Sequence, residues 1–93
     1  MTAMYIWIAE CPFIDQGLVR PLVTRSGILV LMCDSCGTVW CSPEELETEK
    51  YAQPTAPDWS TLCGVDVSPG TTRWADDQDI ELTGWPGVAW KKT

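Results

Sequence analysis

The stretch Ile28-Leu29-Val30-Leu31-Met32-Cys33-Asp34-Ser35-Cys36-Gly37 decides how the rest of the chain is arranged. Its first six residues are apolar at odd and even positions alike. A strand with that pattern has no face for water, so it belongs in the middle of a sheet. The remaining residues carry a Cys-x-x-Cys-Gly turn. Such a turn aims two sulfurs at one point and lets backbone N–H groups bond them, and glycine accepts the backbone conformation it needs.

Upstream of this stretch, Leu18 to Arg25 is a second strand. Pro21 has no N–H for a ladder, so this strand is expected at a sheet edge or with a bulge. Ser26-Gly27 turns the chain between the two strands. Met4 to Ala9 is β-branched and aromatic, a third strand with Tyr5 and Trp7 on one face. Cys11-Pro12 ends it, and Gly17 closes the turn that follows.

Downstream, Gly37 to Cys41 is a short extended piece, and Ser42-Pro43-Glu44-Glu45 is a helix start. Ser42 is the N-cap, Pro43 suits the first helical position and Glu45 closes a capping box, with the helix running to about Tyr51. Residues 52–60 hold Pro54 and Pro57 and form a loop, and Thr61 to Val67 is a short strand candidate. A second helix is expected over Asp76 to Thr83, capped by Asp76 with Asp79 three residues on. Gly84 would be its C′ residue, with Trp85 packing back on Ile80. The fold expected is α+β: one domain, residues 1–93, with a small antiparallel sheet, cysteine turns and two short helices.

The 93 residues carry 13 acids against 6 bases, a net charge of −7 that repels phosphate backbones. Glu44 to Glu81 hold ten of the acids against Lys50 and Arg73, a local net of −8. Such a segment is either a solubilising surface or a docking face for a basic protein. The start of the chain has no basic n-region, and no apolar run is long enough to span a bilayer. A cytoplasmic protein is expected, with its five cysteines as thiols or metal ligands rather than disulfides.

Cys33 and Cys36 supply two ligands of a tetrahedral zinc site, and Cys11 a third. Position 14, where a second knuckle would carry its other cysteine, is Ile14. With no histidine in the chain, the fourth donor is Cys41, Cys63, Asp15 or Asp34. The other reading of the same residues is buried, protonated, inert thiols.

Cys11-Pro12 before Gly17, Leu31-Met32-Cys33-Asp34-Ser35-Cys36, Val39-Trp40, Ser42-Pro43-Glu44-Glu45, Trp74-Ala75 and Gly84-Trp85 together resemble a bacterial zinc-ribbon-like family. The resemblance covers most of the chain and implies a ribbon fold. Some small single-domain proteins of this kind are similar to immunity proteins that neutralise toxins, which makes an immunity or inhibitor protein the expected function. Fully formed ribbons would hold zinc on Cys11, position 14, Cys33 and Cys36, and Ile14 departs from that pattern.

An enzyme is not expected. Histidine, the usual base near neutral pH, is missing, and no phosphate-binding glycine loop is present. Six tryptophans are more than a chain of this size usually carries. Trp7 and Trp40 belong with strands. Trp59 and Trp74, beside the acids, are candidate anchors for a basic toxin domain, with Glu44, Glu45, Glu47, Asp76, Asp77 and Asp79 as its charged surroundings. The alternative function is a zinc-ribbon accessory module of nucleic-acid machinery, which needs a basic face.

Overall fold

The computed structural model describes residues 6–83, 85 and 87–92. The expected Gly84 helix stop and the start of the first strand, Met4 and Tyr5, lie outside them. The elements are β1 (Ile6–Trp7), β2 (Ala9–Glu10), β3 (Leu18–Val23), β4 (Leu29–Cys33), β5 (Val39–Trp40), α1 (Pro43–Glu47), β6 (Arg73–Trp74), α2 (Asp77–Thr83) and β7 (Lys91–Lys92). The architecture is α+β, with an antiparallel sheet in the order β2-β3-β4-β5, β6 added on β3, and a separate β1–β7 pair.

β4 lies inside the sheet, as its two apolar faces require, with β3 on one side and β5 on the other. Ile28 is the exception: it sits before the strand and is 51% exposed. β3 is also interior and its register against β4 has no extra residue, against the expectation of an edge or a bulge. Along one side it pairs with β4 from Val19 to Val23; along the other it pairs first with β2, through Val19, and then with β6, from Leu22. Pro21 stands in the break between β2 and β6. Its carbonyl accepts from Ala75 N at 2.9 Å, so its missing N–H faces this gap and costs no ladder bond.

The strand expected over Met4 to Ala9 divides at Ile8. Ile6 and Trp7 pair with Lys92 and Lys91, whereas Ala9 and Glu10 turn onto β3. Lys91 and Lys92 are exposed yet tied down: Lys91 Nζ lies 4.9 Å from the Trp7 ring centroid, and Lys92 pairs with Asp77.

Both helices begin as their capping residues dictate. Ser42 Oγ accepts from Glu45 N at 3.3 Å, while the Glu45 carboxylate accepts from Cys41 N at 3.0 Å. α1 is shorter than expected, because Glu49 adopts a left-handed φ of 59° and Lys50 N turns back to the Glu45 carbonyl. Asp76 and Asp79 form a reciprocal box at α2, each carboxylate accepting the other's backbone N–H at 2.9 Å. The strand expected over Thr61 to Val67 is a loop, in which the Thr61 hydroxyl bonds both N–H and C=O of Val65.

Alternation along the strands sorts the core onto two faces. Cys11, Val19, Leu31, Cys33 and Trp40 form one buried cluster, with Ile8, Ile14, Leu46, Trp85 and Trp90 packed on it. Leu22, Val30, Val39 and Val67 form the other, joined by Met32, Trp59 and Trp74.

Candidate metal centre

Two turns build the cysteine site. Cys11 N donates to the Gly17 carbonyl at 2.8 Å, closing the turn after β2. The second turn leaves β4, with Cys33 Sγ accepting from Ser35 N and Cys36 N at 3.4 Å each. These are the backbone bonds expected of a knuckle that holds a thiolate. The two turns face each other, and the sulfurs of Cys11, Cys33 and Cys36 all lie within 4.8 Å of one another. Cys11 and Cys36 are 3.6 Å apart at sulfur. Thiolates on one tetrahedral zinc stand about 3.8 Å apart, so the three donors fit a single ion. These three cysteines can hold a metal ion.

Gly17 makes the approach possible. A Cβ there would come within 2.6 Å of Cys33 Sγ and 3.0 Å of both Cys11 Cβ and Ile14 Cδ1. Its lack of a side chain, rather than an unusual backbone angle, is what the site requires. This signal was readable only as a turn glycine in the sequence.

The thiols differ in environment. Burial raises Cys33 from its ordinary 9.0 to about 11, and the N–H groups of Cys36 and Ser35 only partly offset this. At Cys36 desolvation also pushes upward, but hydrogen bonds from the Thr38 hydroxyl and N–H and from the two neighbouring thiols outweigh it and lower the value to about 7. Cys11 and Cys33 are buried while Cys36 is exposed, so the site opens to solvent at Cys36.

The fourth donor expected from the sequence is not at the site. Cys41 and Cys63 are bonded to each other as a disulfide, which corrects both their assignment as ligands and the expectation of five reduced thiols. The physical reason is the loop after α1, which brings Cys63 back to the end of β5. Asp34 accepts from Leu18 N at 3.0 Å and from the Ser35 hydroxyl at 3.3 Å, which ties the two turns together. Among the described residues no carboxylate joins the three sulfurs, Asp15 included. Ile14 stands beside them instead.

The expected docking residues fall into groups. Trp59 and Trp74 come together on the opposite face of the sheet, lining an apolar cleft of about 270 Å³ with Leu22, Met32, Val67 and Pro54. Trp59 holds a left-handed φ of 49°, fixed by its N–H on the Thr55 carbonyl and its carbonyl on Val67 N. The Arg20 guanidinium lies 4.2 Å from the Trp74 ring centroid. Glu44 and Glu47 are exposed on α1, whose Leu46 packs on the cysteine face, so they do not share a surface with the cleft. Glu45, Asp76 and Asp79 are engaged in capping, Asp79 also in a bidentate pair with Arg73, and Asp77 in a pair with Lys92. The acids closest in sequence to the cleft walls are exposed Asp58 and Asp66, which composition did not single out.

Among the described residues no helix is long and apolar enough to cross a membrane. Comparison with protein-family models, with curated proteins and with solved structures finds no match to this chain.

Proposed function

We propose that this chain is a non-enzymatic binding protein, an immunity or inhibitor protein that engages a basic bacterial toxin domain. The observation that carries the reading is the cleft between Trp59 and Trp74. It offers a concave apolar seat for one anchoring side chain of a partner, in a protein whose net charge of −7 attracts a cationic surface. Asp58 and Asp66 flank it in sequence, while Glu44 and Glu47 add to the long-range field. The accessory reading, a module of nucleic-acid machinery, has less support. Arg73 and Lys92 are paired with aspartates, and Arg20 is buried against Trp74, so the bases do not gather into a phosphate-binding face.

In this reading the Cys11, Cys33 and Cys36 site holds zinc as a staple for a small core. The Cys41–Cys63 disulfide weighs against the cytoplasmic location expected from the sequence, since such bonds are rare in a reducing compartment.

The test begins with capture of a bound protein from the native host and identification of its sequence. A basic toxin domain whose activity falls on stoichiometric addition supports the reading. Trp59→Ala and Trp74→Ala should each weaken that complex by about 2 kcal/mol or more, as interface anchors do. An unaltered affinity in both variants would sink the cleft as the docking site.

A further inference from the structure

Two turns bring three thiols together and stop one donor short. The fourth place of a ribbon belongs to the residue at position 14, three beyond Cys11, and there the chain carries an isoleucine. Ile14 is half-buried and packs on the cluster that contains Cys11 and Cys33. Its Cδ1 and Cys33 Sγ both lie against the empty Cβ position of Gly17, at 3.0 and 2.6 Å. An apolar side chain thus packs beside the sulfurs at the position three beyond Cys11, where a donor would be needed. Of the other candidates, Asp15 is exposed and does not join the three sulfurs, Asp34 bonds Leu18 N and Ser35, and Cys41 is bonded to Cys63. The chain has no histidine. The side toward solvent is the side of Cys36, the one exposed member. Zinc with four protein ligands is a closed structural site, whereas zinc with three keeps a position for an exchangeable ligand.

We propose that Cys11, Cys33 and Cys36 form an open metal site, whose fourth ligand is a small donor from solution of the imidazole or thiol kind, with Ile14 standing where a fourth cysteine would close it. The inference rests on the metal reading of the three cysteines and says what kind of metal site they make. Three thiolates and an apolar wall favour a soft or borderline donor over a carboxylate. The same geometry makes Ile14 the residue that decides between an open and a closed site.

Cobalt(II) serves as a coloured substitute for zinc. The intact protein, with the Cys41–Cys63 disulfide left oxidised, is loaded with one cobalt per chain, desalted and titrated with imidazole, a probe that does not reduce disulfides. The expected result is thiolate-to-cobalt charge-transfer absorption before imidazole, and ligand-field bands that shift and saturate as imidazole enters, with cobalt still bound. Ile14→Cys should abolish the response and raise zinc affinity by at least about tenfold, the lower end of what even outer-shell groups exert. Ile14→Ala keeps the site open and should still respond, which covers the case in which the cysteine variant folds poorly. A wild-type spectrum indifferent to imidazole, or imidazole that strips the metal instead of shifting its bands, would overturn the open site while leaving a metal site in place. Absence of any thiolate–cobalt absorption would overturn the metal reading itself, and the open site with it.

Discussion

Gly17 and Cys33 approach so closely that the backbone of one occupies the space beside the sulfur of the other: a Cβ at position 17 would sit 2.6 Å from Cys33 Sγ. Cys33 is fully buried at the end of β4 and cannot swing away. Gly17→Ala should therefore cost about 1–3 kcal/mol, the range for overpacking a filled core. It should also weaken metal binding, because it separates the turn of Cys11 from the turn of Cys33. Urea unfolding with and without zinc measures both effects. An alanine variant with unchanged stability and affinity would show that the two turns are not packed this way.

Thiol chemistry gives a second check. Protein purified without reductant and then denatured should titrate three thiols and retain one disulfide, between Cys41 and Cys63. In the native metal-free protein, alkylation should reach Cys36 first, since Cys11 and Cys33 are buried. Zinc should suppress it. Peptide mass spectrometry after a short pulse of reagent reads the order, and equal labelling of all three would contradict the burial pattern.

Acid should loosen α2 before the sheet. Hydrogen bonds from the Arg73 guanidinium, with those from Asp76, hold the Asp79 carboxyl well below the usual carboxylate range. A carboxylate whose value is depressed on folding stabilises the native state above its unfolded value, about 4, and that contribution is lost as pH falls further. Metal-free wild type should thus lose stability as pH drops below about 4, and Asp79→Asn should flatten that part of the profile. Asp76→Ala, which removes the N-cap, should cost about 1 kcal/mol at neutral pH. An Asp79→Asn protein with the wild-type acid profile would rule out the Arg73 pair as its source.

Reducing the disulfide should affect the cleft. Cys41 directly follows β5 and Cys63 lies four residues past Trp59, so the bond anchors the loop that forms one wall. Cys41→Ser with Cys63→Ser should lower stability by about 2–4 kcal/mol, as loss of a natural cross-link does. It should also speed amide exchange at Val67, whose N–H donates to the Trp59 carbonyl, and at Trp59, whose N–H donates to the Thr55 carbonyl. Exchange at residues 29–33 should remain the slowest in the chain. Fast exchange there would remove the basis for β4 as the centre of the sheet.

Much of this fold was legible in local chemistry. β4 followed from an apolar run with no polar face, and both helix starts followed from Ser42 with Glu45 and Asp76 with Asp79, because a cap is written within four residues. Each of the two cysteine turns was legible for the same reason: Cys33 and Cys36 share one, and Cys11 with Gly17 makes the other. What local pattern did not carry was anything decided by distant segments. Pro21 looked like an edge residue, yet it lies inside the sheet because two separate strands share one side of β3 and leave a gap for it. Cys41 and Cys63 find each other only through a long loop. Glu44 and Glu47 belong to the same acidic segment as Trp59 but project from the far side of the sheet, a separation that charge counting along the chain does not reveal.

The divided edge of β3 also sets an order of events. β2 and β4 flank β3 closely in sequence and can pair with it as soon as the first third of the chain is available. The other part of the edge waits for Arg73 and Trp74, and the β1 strand waits still longer for Lys91 and Lys92. Contacts of such long sequence separation form late and slow the reaction, because loop closure must precede their reward. During synthesis, then, the half-sheet with its cysteine turns can exist before the cleft does.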